Sequence, residues 1–362
     1  MSESDDESEP RVEIKTQLET TDDDPRRPIR NFRFNNREFG DPGFQRLVLQ
    51  TFGYVGHGKS SFINTCKAVW ENKEYINHTK ISGSYEGDTT DRQIYQLTDN
   101  IVLVDNRGFK TIGSDVKAQI YAQLGNLLPL STIVDWSQGL TLLDQIDQAE
   151  LLVKKSDFIV PIFIYSVCYS PDHDEIQELK EFLNFCSRIT GMEVKVVLTH
   201  KAEGDVEAVK TMFMDLEIEN LFSLENITPQ NPLKSEDIEN SVINFLYSVV
   251  KEVEFKMNHI KKFKMIGGKM FVLNYIYKKN LDALENTKEQ KAETFRKEEH
   301  IERLQELREK LAARLIDGDV LKSEGELKPL SLSFSFLRKK PHSQSAVETA
   351  FLSHTTRFLK GQ

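Results

Sequence analysis

Short apolar runs alternate with longer amphipathic stretches along this chain, and the alternation predicts a series of strands and helices. Arg46–Phe52 reads as a strand and Lys59–Trp70 as a helix with Phe62, Cys66 and Trp70 four residues apart. Gln93–Leu97 and Ile101–Val104 read as strands joined by the polar turn Thr98-Asp99-Asn100. Ile162–Val167 is expected to be a strand opened by Pro161, since a proline cannot donate within a central ladder. Asp174–Thr190 is predicted helical, with Ile176, Leu179, Phe182, Leu183 and Cys186 on one face. A strand Val194–Leu198, a helix Asp205–Leu216, a strand Leu221–Leu224 and a helix Ser235–Val253 complete the series, Ser235 serving as the cap.

Strands that read as continuous apolar runs are buried on both sides. The expected fold class is therefore α/β, a mostly parallel sheet with helices on both faces. Phe109–Glu150 is longer than a tight connection requires and reads as mixed helix and loop, containing Leu124–Leu130 and Trp136. After Val253 the character changes. Lys256–Lys279 holds seven lysines and no acid, interleaved with Phe263, Phe271, Tyr275 and Tyr277, and the Gly267-Gly268 pair predicts a bend. Asn280–Ile316 reads as a charged helix with Ile301, Leu304, Leu307, Leu311 and Leu315 at three- and four-residue steps, too few heptads for a coiled coil. From Asp317 onward no periodicity is visible.

Composition adjusts this picture mainly at the ends. The net charge is −10 over 362 residues, but Met1–Pro25 carries ten acids against two bases, so the body is nearly neutral. The first segment cannot bury enough apolar surface to offset its ordering entropy. Expected domains are a disordered acidic tail (residues 1–40), an α/β domain (41–255), a basic then charged helical extension (256–316) and a loosely ordered tail (317–362). Three cysteines without paired spacing, no secretory pattern at the N-terminus and no long apolar run together predict a reducing, cytoplasmic setting.

The chemistry concentrates at Gly53-Tyr54-Val55-Gly56-His57-Gly58-Lys59-Ser60, which fits the phosphate-loop pattern of Gly, four residues, then Gly-Lys-Ser, between a strand and a helix. Glycines let amide N–H groups turn inward as an anion nest, and the helix N-terminus adds partial positive charge. Gly53, Gly56, His57, Gly58, Lys59, Ser60 and Ser61 are the candidate phosphate-binding residues. Lys59 would reach the β- and γ-phosphates, and the Ser60 hydroxyl would ligate Mg²⁺. Asp105-Asn106-Arg107-Gly108 ends a strand downstream, as the DxxG element of switch-type nucleoside triphosphatases does. Asp105 would hold Mg²⁺ through water, and the Gly108 N–H would meet the γ-phosphate. Thr89 and Thr90 precede another strand; Thr90 is the better candidate to complete the metal shell, the alternative being an ordinary polar turn. Lys59, Thr90 and Gly108 are thus the expected catalytic set, and Ser60, Thr90 and Asp105 the expected metal ligands.

With these motifs Arg46 to Val253 resembles the P-loop GTPases of the translation-factor-related class. The runs FGYVGHGKSSFIN and LVDNRG are similar to the interferon-induced protein 44 family, a resemblance that implies a place in innate defence. The immune-associated nucleotide-binding GTPases and the chloroplast import receptors, septin-like groups, share the same run. The resemblance implies GTP or GDP with Mg²⁺ as ligands.

The usual Asn-Lys-x-Asp guanine signature is missing. Thr199-His200-Lys201-Ala202-Glu203 follows a strand, so Lys201 and Glu203 can take the Lys and Asp places with His200 replacing Asn. The import receptors resemble this arrangement, with Thr-His here and Glu-Asn at a later loop, where this chain has Glu225-Asn226. Either glutamate can accept the guanine N1–H and amine, and solvated loop acids are the alternative reading. Phe109 follows Gly108 where many small GTPases carry a water-orienting Gln, which implies slow intrinsic hydrolysis. The expected partner is a protein or a second copy meeting the switch face. Lys256–Lys279 could also lie on an anionic membrane, whereas a helical extension packed on the core is the simpler reading and nucleic acid is not expected. A nucleotide-occupied scaffold without catalysis and an ATP-using enzyme are the other function classes left open.

Overall fold

Six strands form one sheet among the described residues: β1 (Arg46–Phe52), β2 (Gln93–Gln96), β3 (Ile101–Asp105), β4 (Asp157–Ser166), β5 (Lys195–Thr199) and β6 (Leu221–Ser223). The computed structural model describes residues 24–34, 43–73, 76, 92–130, 142–154, 156–232, 234–259, 262–286 and 292–320. The strand order is β2-β3-β1-β4-β5-β6, parallel throughout except for the antiparallel β2–β3 pair. The helices are α1 (Arg27–Asn31), α2 (Lys59–Glu71), α3 (Ser114–Leu124), α4 (Leu142–Ala149), α5 (His173–Thr190), α6 (Val206–Asp215), α7 (Glu236–His259), α8 (Lys262–Asn286) and α9 (Ala292–Val320). Residues 1–316 form one compact unit; residues 317–362 are a second, of which only the end of α9 is described. No helix among the described residues is long and apolar enough to cross a membrane.

Alternate residues of β1 serve two different cores, which is why its sequence shows no apolar/polar alternation. Leu47 and Leu49 pack with Phe62, Cys66 and Val69 of α2 and with Val242, Phe245 and Val249 of α7. Val48 and Phe52 face the other side, with Tyr121 of α3, Phe182 of α5 and Val272 of α8. The β1 carboxyl end lies where the chain departs toward β3 on one side and β4 on the other. In sheets of this kind the crevice at that switch point is the ligand position.

Four expectations are corrected. First, β4 begins at Asp157, with Pro161 inside it. The Arg46 N–H donates to Ser156 O and the Val167 N–H to Thr199 O, so strand alternation points the Pro161 nitrogen toward β5. Pairing with β5 starts only at Ile162, so the missing donor falls before that ladder. Second, the segment expected to be disordered through residue 40 contains α1, and Ile29, Phe32 and Phe34 are buried. Phe34 meets the ring of Phe158 on β4 at 6.2 Å, enough apolar contact to anchor the chain there. Third, no bend occurs at Gly267-Gly268, which lie within the continuous α8. Gly268 instead permits close approach: a Cβ there would stand 2.4 Å from Ile189 O at the end of α5. Fourth, the helix expected over Asn280–Ile316 is two elements, with Asn280 in α8 and α9 starting at Ala292.

The C-terminal helices lie against the segment that follows the DxxG element. Phe271 of α8 stacks on Phe185 of α5 at 5.0 Å, and Tyr275 meets Tyr121 of α3 edge-on at 5.2 Å. Lys279 pairs with Asp115 on α3, Arg303 with Asp144 on α4 at 2.5 Å, and Lys310 and Arg314 with Asp147. Partly exposed ion pairs contribute little individually, so the ring contacts of α8 and the buried Leu304 and Leu311 of α9 carry most of this docking.

Candidate functional site

The loop Gly53–Gly58 joins β1 to α2 at the carboxyl edge of the sheet. Its turn depends on glycine in two places for two reasons. Gly53 has φ +149°, and a Cβ there would lie 2.3 Å from Ile164 O on β4. Gly58 caps α2 with φ +85°, and a Cβ there would crowd Asn226 Nδ2 at 2.8 Å. Left-handed backbone at these points turns the following amides toward one concavity at the start of α2.

Lys59 is only 7% exposed, and its ammonium donates to Tyr54 O at 2.8 Å. Burial pulls its pKa down to about 8, partly opposed by the charge of Asp105. The Ser60 hydroxyl donates to Asp105 Oδ2 at 2.7 Å. Asp105 is 2% exposed and its Oδ1 has no hydrogen-bond partner, so desolvation raises its pKa despite Ser60 and Lys59. An orphaned carboxylate oxygen beside a hydroxyl is a hard-oxygen donor set. It fits a divalent cation such as Mg²⁺, and the neighbouring lysine fits an anion.

His57 is placed differently from the other loop residues. Its Nδ1 accepts the Ser166 N–H at 3.1 Å, and its ring sits about 5 Å from those of Tyr54, Tyr165 and Tyr169. Burial, then the nearby Lys59, lowers its pKa to about 3, so the ring is neutral. The side chain is buried among these rings, and the His57 N–H donates to Tyr54 O at 3.4 Å. The His57 carbonyl accepts from Thr199 Oγ1 at 2.8 Å, tying the loop to the end of β5.

On the side of the loop formed by the ends of β5 and β6, His200 takes a left-handed conformation (φ 56°). Asn226 Nδ2 donates to Gly58 O at 3.3 Å, while its buried Oδ1 has no partner. The Glu225 carboxylate accepts the Ala202 N–H at 3.0 Å, fastening the two loops together. Lys201 pairs with Asp237 of α7 at 2.5 Å, and Glu203 is exposed. The structure thus brings Gly53, Gly56, Gly58, Lys59, Ser60, Asp105, Gly108, His200 and Asn226 to one end of the sheet, with Glu225 behind them. Ser61 is buried in the first turn of α2. Thr89, Thr90 and Trp136 lie outside the described residues. Arg107 is exposed and Phe109 is buried.

Sequence reasoning missed a buried polar chain beneath this site. Arg92 donates to Gln50 Oε1 at 2.7 Å and to the carbonyls of Leu128 and Pro129, and Gln50 Nε2 donates to Gln123 Oε1 at 3.1 Å. Burial lowers the Arg92 pKa to about 9, partly opposed by Asp157. The signal available was Gln50, an amide inside an otherwise apolar run.

No protein-family model matches the chain, and no curated protein matches it. Among solved structures, it is similar to translation elongation factor SelB from Methanococcus maripaludis in complex with the GTP analogue GppNHp, at 12% identity and a TM-score of 0.29, over 60% of this chain and 35% of that one. Nucleolar GTP-binding protein 1 from Plasmodium falciparum aligns at 11% identity and 0.31, covering 59% of this chain and 92% of that one. The signal recognition particle receptor SRb-GTP/SRX complex from Chaetomium thermophilum aligns at 9% identity and 0.31, covering 57% and 99%. The chain spans about a third of the length of the SelB structure. Similarity at this level carries no argument about activity.

Proposed function

We propose that the chain is a guanine-nucleotide-binding switch that takes GTP or GDP with Mg²⁺ at the loop Gly53–Ser61 and hydrolyses GTP slowly by itself. The observation that carries this reading is the Ser60–Asp105 pair. A buried carboxylate with an unpartnered oxygen lies against the hydroxyl at the start of α2, beside a loop in which Gly53 leaves no room for a Cβ against the Ile164 backbone and Gly58 takes a positive φ. In this reading the Lys59 ammonium neutralises charge on the outer phosphates. Ser60 and Asp105 hold the cation, whose chemistry is to offset charge on the phosphoryl oxygens. The Gly108 N–H meets the γ-phosphate, and Thr89 and Thr90 join the shell. Glu225, with Asn226 and His200, is the better-supported base contact, because it is already fixed by the Ala202 N–H beside Gly58; Lys201 and Glu203 are the alternative.

Slow turnover follows from Phe109, which has no proton acceptor and is buried where a water-orienting side chain would serve. A partner or a second copy supplies the missing group through the switch face. The resemblance to the interferon-induced protein 44 family extends the proposal to innate defence. Single-turnover hydrolysis by the isolated full chain is the test. Slow GTP turnover that rises with protein concentration or an added partner supports the reading, and fast, concentration-independent turnover contradicts it. Competition by excess ATP as effective as by GTP would show that the site does not select guanine, and competition by ATP alone would transfer it to an adenine nucleotide.

A further inference from the structure

We infer that Phe109 is a latch by which the resting site discriminates between nucleoside di- and triphosphates: the Gly108–Phe109 strip is paired to the phosphate loop and must separate from it before a third phosphoryl group can be held. This inference rests on the proposed nucleotide site and adds to it a preference for the diphosphate. Three observations carry it. The first is main-chain pairing. The Val55 N–H donates to Phe109 O at 3.0 Å and the Phe109 N–H to Gly53 O at 3.3 Å, making a parallel bridge between Tyr54 and Phe109. The loop amide at Val55 is therefore already taken.

The second is anchoring by the ring. Phe109 packs edge-on against Tyr54 at 4.9 Å and Phe182 of α5 at 6.1 Å, and it is only 6% exposed. A water-orienting side chain would have to project into the site, whereas this one holds the strip down by its apolar surface. The third is the space left over. A Cβ built on Gly108 would lie 2.7 Å from Lys59 Nζ and 2.9 Å from Val55 Cα. The strip therefore lies close on the loop backbone at Val55 and on the tip of Lys59, and room for a third phosphoryl group opens there only when the strip moves off the loop and the lysine tip shifts. The amides at the start of α2, by contrast, lie outside the bridge, so the inner phosphates of a diphosphate meet no such obstacle. A triphosphate must first populate the separated state, and its apparent affinity is reduced by the rarity of that state.

The test uses the full-length chain stripped of nucleotide, titrated with Mg·GDP and with a non-hydrolysable GTP analogue and Mg²⁺. Phe109→Ala keeps the main-chain donors and removes the anchor. The affinity ratio of triphosphate to diphosphate is expected to rise about tenfold over the unaltered chain, through loss of the ring contacts with Tyr54 and Phe182 in the latched state. Binding of both nucleotides with an unchanged ratio would overturn the latch alone. No binding of either by the unaltered chain would overturn the underlying reading with it. Should the variant not fold, amide exchange at Phe109 in the unaltered chain decides: protection kept with Mg·GDP and lost with the analogue is expected, and equal protection with both would overturn the latch.

Discussion

Gly268→Ala sets two known effects against each other in α8. In an unstrained helix interior the change stabilises by about 1 kcal/mol, because glycine has the higher conformational entropy to lose. Here the added methyl would lie 2.4 Å from Ile189 O, closer than real Cβ atoms come to backbone, and a tight 3.1 Å from Ile189 Cα. Relief requires α8 to withdraw from the end of α5. That movement loosens Val272, Leu273 and Ile276, all buried, and the Phe271–Phe185 stack. Overpacking of this kind costs about 1–3 kcal/mol. The net expectation is a loss of about 1 kcal/mol, a fall of roughly 2–4 °C in the unfolding midpoint for a unit of this size. Thermal unfolding followed by circular dichroism measures it, with Asp282→Ala as the control. Asp282 is exposed near the C-terminal end of the same helix, where an acid opposes the helix dipole, so its replacement should be neutral or stabilising by about 0.5 kcal/mol. A midpoint that rises in Gly268→Ala as it does in the control would refute the close-approach reasoning.

Two further predictions concern the phosphate loop. His57 is held neutral by burial, with its pKa down at about 3 against an unfolded value near ~6.5, so the unfolded chain binds the extra proton between those values. Its contribution is complete above that upper value and declines as the pH falls toward the lower one, by at most about 1.4 kcal/mol per pH unit. Urea titrations from about pH 4, inside the window between the two values, to about pH 7, above both, should show a shallower acid decline in His57→Gln, and an identical slope would contradict the assignment. Asp105→Asn keeps the shape of the side chain and the Ser60 contact but removes the charge. It should erase the difference in nucleotide affinity with and without Mg²⁺, and a variant that keeps the full metal effect would remove Asp105 from the metal shell.

Much of the sheet was legible because both of its faces are covered. Stretches such as Leu47–Leu49 and Ile162–Tyr165 are buried on both faces and so are apolar or aromatic over consecutive positions, and that pattern survives in sequence. The phosphate loop was legible for a different reason: Gly53 and Gly58 occupy positions where any side chain collides with a neighbouring backbone or amide. What was not legible depends on partners distant in the chain. The role of Gly268 as a close-approach residue requires knowing that Ile189 lies opposite. Pro161 could enter β4 because β5 begins one residue later, a fact about a different strand. The turning of His57 into an aromatic cluster depends on Tyr165 and Tyr169, more than a hundred residues away. Charge pattern alone likewise gave no sign that Arg92 is buried among carbonyls and Gln50.

The central claim is that amides around Lys59, with Ser60 and Asp105, hold a magnesium-bound purine polyphosphate. Calorimetric titration of the nucleotide-free full chain with GDP, in Mg²⁺ and again in chelator, tests it most directly, with Lys59→Ala in parallel. Saturable one-to-one binding that tightens with the metal and disappears in Lys59→Ala is the predicted result. Absence of binding by any guanine or adenine nucleotide in the presence of Mg²⁺, with the chain folded, would contradict it.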